Sequence, residues 1–133
     1  MKLLCIQGQD IARITLGRLR DDQLVDVRDW ELPPEEYLFA LDQTLKDWGE
    51  TADGWDGVVV VRGPGSFTAS RMSTIMANTI GFAKDIPVYG LENTQRLSLT
   101  DLLKSFRCSR LQAEPFVLPF YDRPPHITER KSK

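Results

Sequence analysis

The residues best suited to chemistry lie in a glycine-rich loop that follows a run of four valines. Val58 to Val61 leads through Arg62 into Gly63-Pro64-Gly65-Ser66-Phe67-Thr68. A buried strand, a tight turn and a helix N-terminus in this order could cradle an anion on backbone N–H groups, or could fix a helix at a set angle to a sheet. The loop lacks the Gly-Lys-Ser/Thr ending of a P-loop and Pro64 removes one donor, which favours the structural role.

Other residues give little sign of catalysis. His126, the single histidine, lies in a proline-containing stretch without a paired ligand spacing, which argues against a catalytic triad or a zinc site. Cys5 and Cys108 are far apart in the chain and outside any CxxC spacing. We therefore expect two reduced thiols and a cytoplasmic protein.

A ribonuclease-H-type nuclease would need several carboxylates that converge on two metal ions. The first predicted strand, Leu3–Ile6, contains no acidic residue, and Asp10, Asp26 and Asp56 lie at turns or on a strand face without a reason to converge. Nuclease chemistry is therefore disfavoured, and we assign no catalytic, cofactor-binding or metal-binding residue.

The order of hydrophobic patterns predicts an α/β domain. The predicted strands are Leu3–Ile6, Ile11–Leu19, Leu24–Trp30, the valine run and Ile86–Leu91, and the predicted helices run from Pro34 to Trp48, from Thr68 to Lys84, and from Asn93 or Thr94 to Phe106. A three-strand antiparallel meander followed by two parallel strands gives a mixed sheet of about five strands with flanking helices, the ribonuclease-H-like order. We expect this domain at residues 1–106 and an extended proline-containing tail at 107–133.

The composition disfavours two classes of partner. The 133 residues carry a formal net charge of −2, so no broad cationic field is available for direct nucleic-acid binding. The tryptophans show no interleaved basic residues in the sequence, so we predict no stacking platform for bases. No apolar run approaches the roughly 20 residues of a membrane-spanning helix.

The second predicted helix has two faces of different character. We expect a core-facing stripe of larger residues, namely Met72, Ile75, Met76, Thr79, Ile80 and Ala83. Small residues recur every fourth position on another face, namely Ala69, Ser73, Ala77 and Gly81. This ridge could pack internally against the first helix, or it could be a docking seam for a partner chain. Phe39, which falls off the core face of the first helix, gives weak support to the docking seam.

The loop and the residues after it resemble the signature of the bacterial TsaB (YeaZ) family, G-P-G-S-F-T-G-x-R-x-G. Gly63 to Thr68 and Arg71 match, while Ala69 and Ser73 stand where the family has glycine. The resemblance continues through Ile86–Leu91 and returns in Pro119–Pro125, which is similar to the closing P-x-Y-x-R-P-P segment of the family.

This resemblance implies a non-catalytic scaffold with the actin-like ATPase fold. Such a subunit binds a TsaD-like transferase through a helical interface, with a TsaE-like ATPase as a further partner, and supports threonylcarbamoyladenosine modification of tRNA. It can also self-associate through the same surface. The implied interface residues are the small ridge, with Phe39 and Arg71 as secondary contacts, and the loop from Gly63 to Thr68 sets the helix angle.

The chain also departs from the family. Relatives have a D-T-S sequence after the first strand, where this chain has Gln7-Gly8-Gln9, so an amide replaces the carboxylate that kinases of the superfamily use near the metal and phosphate. The second lobe of the relatives is also missing from the sequence, which argues against an ATP cleft. Two alternatives stay open, namely a phosphate- or nucleotide-binding module built on Gly63–Ser66, and a self-associating regulatory homodimer.

Overall fold

The computed structural model describes residues 1–105, 112–114 and 116–119. Its strands are β1 (Lys2–Gln7), β2 (Ile14–Arg20), β3 (Gln23–Trp30), β4 (Gly57–Gly63), β5 (Val88–Glu92) and β6 (Ala113–Glu114). Its helices are α1 (Tyr37–Asp47), which follows a short 3-10 turn at Pro34–Glu36, α2 (Phe67–Lys84) and α3 (Leu99–Lys104). Cys108, His126, the end of the third predicted helix at Phe106 and most of the closing segment lie outside the described residues.

All six strands form one mixed sheet in the order β3-β2-β1-β4-β5-β6. β1, β2 and β3 pair antiparallel, as predicted for the meander. β4 lies parallel to β1, and β5 lies parallel to β4. The predicted order of five strands is therefore confirmed. The sixth strand was not predicted, because a two-residue strand leaves no period to detect in the sequence.

The valine run is buried because β4 has helices on one face of the sheet and a helix on the other. Val58 and Val60 belong to a core that includes Tyr37 and Leu41 of α1 and Met76 of α2. The alternate residues of β4 belong to a second core, which contains Leu3, Cys5, Val59, Val61, Leu91, Leu99 and Leu102. Continuous β-branched sequence is what a strand covered on both faces requires.

Several element boundaries differ from the prediction, among them the starts of β2 and of the third helix. β2 begins at Ile14 rather than at Ile11, because Ile11 is exposed in the loop after β1. The third helix begins at Leu99 and is capped by Ser98, whose hydroxyl accepts a hydrogen bond from the N–H of Asp101 at 3.2 Å. Asn93 does not cap this helix, since its side chain is used in the contacts described below.

Cations and tryptophans alternate in space along the edge where β1 begins. Lys2 Nζ lies 4.6 Å from the ring centre of Trp55, and the Arg18 guanidinium lies 5.1 Å from that of Trp48. Glu50 joins the two cations, at 2.5 Å from Lys2 Nζ and 3.2 Å from an Arg18 nitrogen. Basic residues and tryptophans thus meet in space although they do not interleave in the sequence, and Lys2 and Arg18 are paired with a carboxylate within the chain.

We expect this cluster to make stability sensitive to acid. The hydrogen bond from Lys2 is the main cause that lowers the pKa of Glu50 below its ordinary value of 4.5. A lowered folded-state pKa stabilises the protein above the unfolded-state pKa, and this contribution is lost as the pH falls through the folded-state value. Glu50→Gln should therefore cost about 1 kcal/mol at pH 7, with a difference from wild type that shrinks below pH 4.5.

Urea unfolding at a series of pH values measures this difference. Glu31→Gln is the matched control, because Glu31 is exposed and has no ion pair among the described residues. If the free energies of unfolding of wild type and Glu50→Gln differ by the same amount from pH 7 to pH 3, the ionised carboxylate of Glu50 does not stabilise the fold.

Among the described residues, none of the helices is long and apolar enough to cross a lipid bilayer.

Candidate functional site

The glycine loop connects β4 to α2 and packs against the loop that follows β1. The N–H of Ser66 donates to the carbonyl of Gln9 at 2.7 Å. The hydroxyl of Ser66 accepts from the N–H of Ala69 at 3.2 Å, so Ser66 caps α2. Both N–H groups are thus used within the chain, which weakens the hypothesis of a phosphate cradle.

Gly65 is required because another backbone approaches it closely. A Cβ atom added at Gly65 would lie 2.5 Å from the carbonyl oxygen of Gln9 and 2.9 Å from its Cβ. We expect Gly65→Ala to lower the free energy of unfolding by about 2 kcal/mol, because the loop must move away from Gln9 to relieve the overlap.

Thermal unfolding of Gly65→Ala beside Gly49→Ala tests this point. Gly49 has a positive φ of 70° but no atom within 4 Å of the added Cβ, so its substitution costs only about 1 kcal/mol in backbone strain. If Gly65→Ala destabilises the protein no more than Gly49→Ala does, the close approach of Gln9 does not require glycine at position 65.

Three uncharged amides meet where β1, β4 and β5 end. Gln9 Nε2 donates to the carbonyl of Pro64 at 2.5 Å, and its Oε1 accepts from Asn93 Nδ2 at 2.8 Å. Gln7 Nε2 donates to Gln9 Oε1 at 3.1 Å and to the carbonyl of Leu97 at 3.0 Å. Gln7 stands out in the sequence because it replaces a carboxylate, but its proximity to Gln9 and Asn93 could not be predicted, since amides in loops carry no spacing that marks them as neighbours.

This set of donors does not fit a divalent metal ion with a bound phosphate. Such a cation prefers carboxylate oxygens, whereas the amides of Gln7, Gln9 and Asn93 are engaged with one another and with backbone carbonyls. Within the described ranges, no group of three His, Cys, Asp or Glu side chains is placed to hold a metal. The carboxylates considered for a nuclease also have separate partners, since Asp26 accepts from Trp48 Nε1 and Asp56 from the N–H of Lys2.

A cleft of about 290 Å³ lies beside the amides, between the β1–β2 loop and the start of α3. Its charged residues include Asp10 and Arg96, which pair with each other at 3.5 Å. The hydroxyl of Tyr37 lies 2.8 Å from the carbonyl oxygens of Asp10 and Arg13 and holds this loop against α1. Burial, with a smaller effect of Asp10, raises the pKa of Tyr37 to about 12, so this hydroxyl stays protonated at neutral pH.

The two arginines that flank the glycine loop do not converge on an anion. Arg62 pairs with Glu114 of β6 at 3.3 Å, whereas Arg71 is exposed on the outward face of α2. These positions remove the main attraction that the loop could offer to a phosphate group.

The small ridge of α2 is not a surface. Ala69, Ser73 and Ala77 have no exposed area, and Gly81 is buried as well. A methyl group added at Gly81 would overlap the side chain of Val88 in β5. The prediction that this ridge forms a docking seam for a partner is therefore wrong. The ridge packs internally, as the alternative held, but it lies mainly on the sheet rather than on the first helix.

The predicted core stripe of α2 is correct only in part, since Met72 and Ile80 pack partly buried against the core. Only Met76 of that set is buried, while Ile75 is 47% exposed and Thr79 and Ala83 face solvent. The physical reason is that a helix lying directly on a strand of valines needs small side chains at the contact. Apart from Met76, the larger apolar residues of α2 consequently point outward or lie at the edge of the contact.

The outward face of α2 carries an apolar stripe. Phe67 is 42% exposed, Ile75 47% and Phe82 92%, and Arg71 lies among them. At about 100° per residue, these four positions fall within about 80° of the helix circumference. We call these four residues the outward stripe. An exposed row of large apolar side chains on one helix is the usual sign of a surface that binds another protein.

The other predicted contact, Phe39, is 57% exposed on α1. Its ring meets the ring of Trp30 edge-on, with centres 6.0 Å apart. Phe39 is thus available at the surface, and its role in partner binding stays a prediction.

The sheet order and the parallel crossovers define a domain with the ribonuclease-H-like fold. The solved structures it resembles include YeaZ from Pseudomonas aeruginosa, with 20% identity and a TM-score of 0.60 over 69% of this chain and 44% of that chain. A second P. aeruginosa protein, described as similar to peptidase YeaZ, matches with the same identity and TM-score over 69% of this chain and 43% of that chain. The chain thus spans less than half the length of these two proteins.

The sequence itself assigns the family. The family model described as TsaD, tRNA N6-adenosine threonylcarbamoyltransferase, matches residues 35–122, more than half of the chain. The chain belongs to this family, and the YeaZ-like resemblance of its glycine loop agrees with the fold.

Proposed function

We propose that this chain is a non-catalytic, cytoplasmic docking subunit that binds a TsaD-type transferase and supports threonylcarbamoyladenosine modification of tRNA. The observation that carries the proposal is the outward stripe on α2, which leaves three large apolar side chains in solvent. The family match supports the pathway. The amide cluster supports a non-catalytic role, because its side chains are held in hydrogen bonds where a kinase of this fold class would place a carboxylate.

The proposed interface differs from the one that the small ridge would have formed. α2 docks with its outward stripe, and Phe39 of α1 extends the contact. The buried ridge and the capped glycine loop act indirectly, because they fix the distance and angle of α2 on the sheet. A TsaE-like ATPase is a further candidate member of the assembly, and contact with tRNA is left to the partner.

Mixing the purified chain with the TsaD-type protein of the same organism tests this function. Light scattering after size exclusion should show a complex whose mass is the sum of the two chains. Two separate peaks at micromolar concentrations, where a specific interface of ordinary size forms a complex, would contradict the proposal. Titration with ATP in the same buffer tests the nucleotide-binding alternative, for which heat of micromolar binding would be required.

A further inference from the structure

A groove of about 340 Å³ runs between the outward face of α2 and residues 116–119. Asn78 of α2 holds this segment, since its Nδ2 donates to the carbonyl of Val117 at 2.9 Å and its Oδ1 accepts from the N–H of Val117 at 2.7 Å. The side chain of Val117 is buried in the core, 1% exposed. Because neighbouring residues of an extended segment alternate in direction, Phe116 and Leu118 are left at the surface, 58% and 59% exposed.

The groove has the chemistry of an apolar site with one fixed charge. Its lining residues are Phe67, Arg71, Thr74, Ile75, Asn78, Phe116, Val117, Leu118 and Pro119. Arg71 is the single charged residue of this lining, and among the described residues it has no ion pair. An occupant that buries the apolar walls must also supply a negative group near Arg71, or it leaves a cation partly desolvated without compensation.

A second copy of α2 does not supply that group. The 18 residues of α2 contain no aspartate or glutamate, and the other cation of the helix, Lys84, pairs with Asp53 at 2.8 Å. Two copies packed α2 against α2 would bring two Arg71 side chains to the contact without a carboxylate from either helix. Like charges placed together oppose such pairing. Charge complementarity therefore disfavours a symmetric pairing of two copies through α2 and favours an occupant that carries a carboxylate.

We propose that the groove receives an apolar segment of the TsaD-type partner that carries a carboxylate. Its apolar side chains cover Ile75, Phe116 and Leu118, and its carboxylate pairs with Arg71. This inference rests on the proposed function and adds the chemistry of the partner's contact. It also includes the segment 116–119 in the interface, which neither the glycine loop nor the helix pattern indicated.

Calorimetric titration of the TsaD-type protein into wild type, Arg71→Glu, Leu118→Asp and Arg20→Glu tests the groove. Arg71→Glu and Leu118→Asp should each weaken binding by about 10-fold or more. Arg20→Glu should stay within about 2-fold of wild type, because Arg20 is exposed at the end of β2 and carries the same change of charge. A further variant, Arg71→Gln, removes the charge without reversing it. Raising the salt concentration should lower the affinity of wild type for the TsaD-type protein more than it lowers the affinity of Arg71→Gln.

The outcomes separate the groove from the function as a whole. If both groove variants bind as tightly as wild type, the groove is not the binding site, and the docking function itself is left intact. Absence of binding by folded wild type would overturn both. A wild-type homodimer that Leu118→Asp dissociates would show that a second copy occupies the groove, and this would also overturn the proposal.

Discussion

Replacing Ala77 by leucine should lower the free energy of unfolding by about 3 kcal/mol, because three heavy atoms would be forced into a fully packed contact. Ala77 has no exposed area and belongs to the core shared by α1, α2 and the sheet. Any loss of partner binding in this variant would follow from a displaced or unfolded α2, and would not identify Ala77 as a contact. Urea unfolding followed by circular dichroism measures the change.

Thr79→Leu is the matched control for this prediction. Thr79 lies two residues further along α2 and faces solvent, so the same leucine should change stability by less than about 0.5 kcal/mol. An Ala77→Leu variant as stable as Thr79→Leu would mean that the ridge does not lie against the sheet.

Ile75→Asp should reduce affinity for the TsaD-type partner by about 100-fold while leaving the fold unchanged. Ile75 is 47% exposed in the middle of the outward stripe, so a carboxylate there remains solvated in the free chain. In the complex the same carboxylate would lose water inside an apolar contact, which is costly without a partner charge. Calorimetric titration and a thermal melt of the same preparation measure the two effects.

Ile11→Asp provides the control with the same pair of residue types. Ile11 is 57% exposed in the loop after β1, away from α2 in sequence, and its substitution should leave the affinity within about 2-fold of wild type. Equal losses of affinity at both positions would argue against a specific contact at Ile75.

Much of the fold could be predicted because the local sequence patterns agree with the tertiary packing at the valine strand and at the ends of the helices. The valines of β4 are covered on both faces, as their unbroken run indicated. Ser66 caps α2 at the position where the glycine loop ends. Gly49 follows α1 with a φ of 70°, as expected of a residue that ends a helix.

The faces of α2 could not be predicted from hydrophobicity. The pattern rule assigns the larger apolar residues to the core, but here the closest contact between helix and sheet is made mainly by alanine, serine and glycine. That distance depends on tertiary packing, for example on the approach of Gly8 to Ser73, where an added Cβ would lie 3.1 Å from the Ser73 Cβ. A stripe of small residues therefore indicates a close contact without saying whether the contact lies within the chain.

The amide cluster and β6 were missed for a different reason. Gln9 and Asn93 are 84 residues apart, and their contact depends on β1 and β5 ending at the same edge of the sheet. β6 has only two residues and is recognised by its pairing with Val88 and Tyr89. Single-sequence patterns describe neighbours along the chain and give little information about such contacts.

The proposed function requires that the outward stripe of α2 contacts another protein, and a photo-crosslinker at its most exposed residue tests this directly. Benzoylphenylalanine at position 82 adds a benzoyl group to a side chain that is already 92% exposed, so the added group extends into solvent and leaves the core unchanged. Irradiation with the TsaD-type protein should give a covalent adduct from position 82, whereas the same crosslinker at position 11 should give none. A folded protein that forms no adduct from position 82, or forms equal adducts from both positions, would contradict the account.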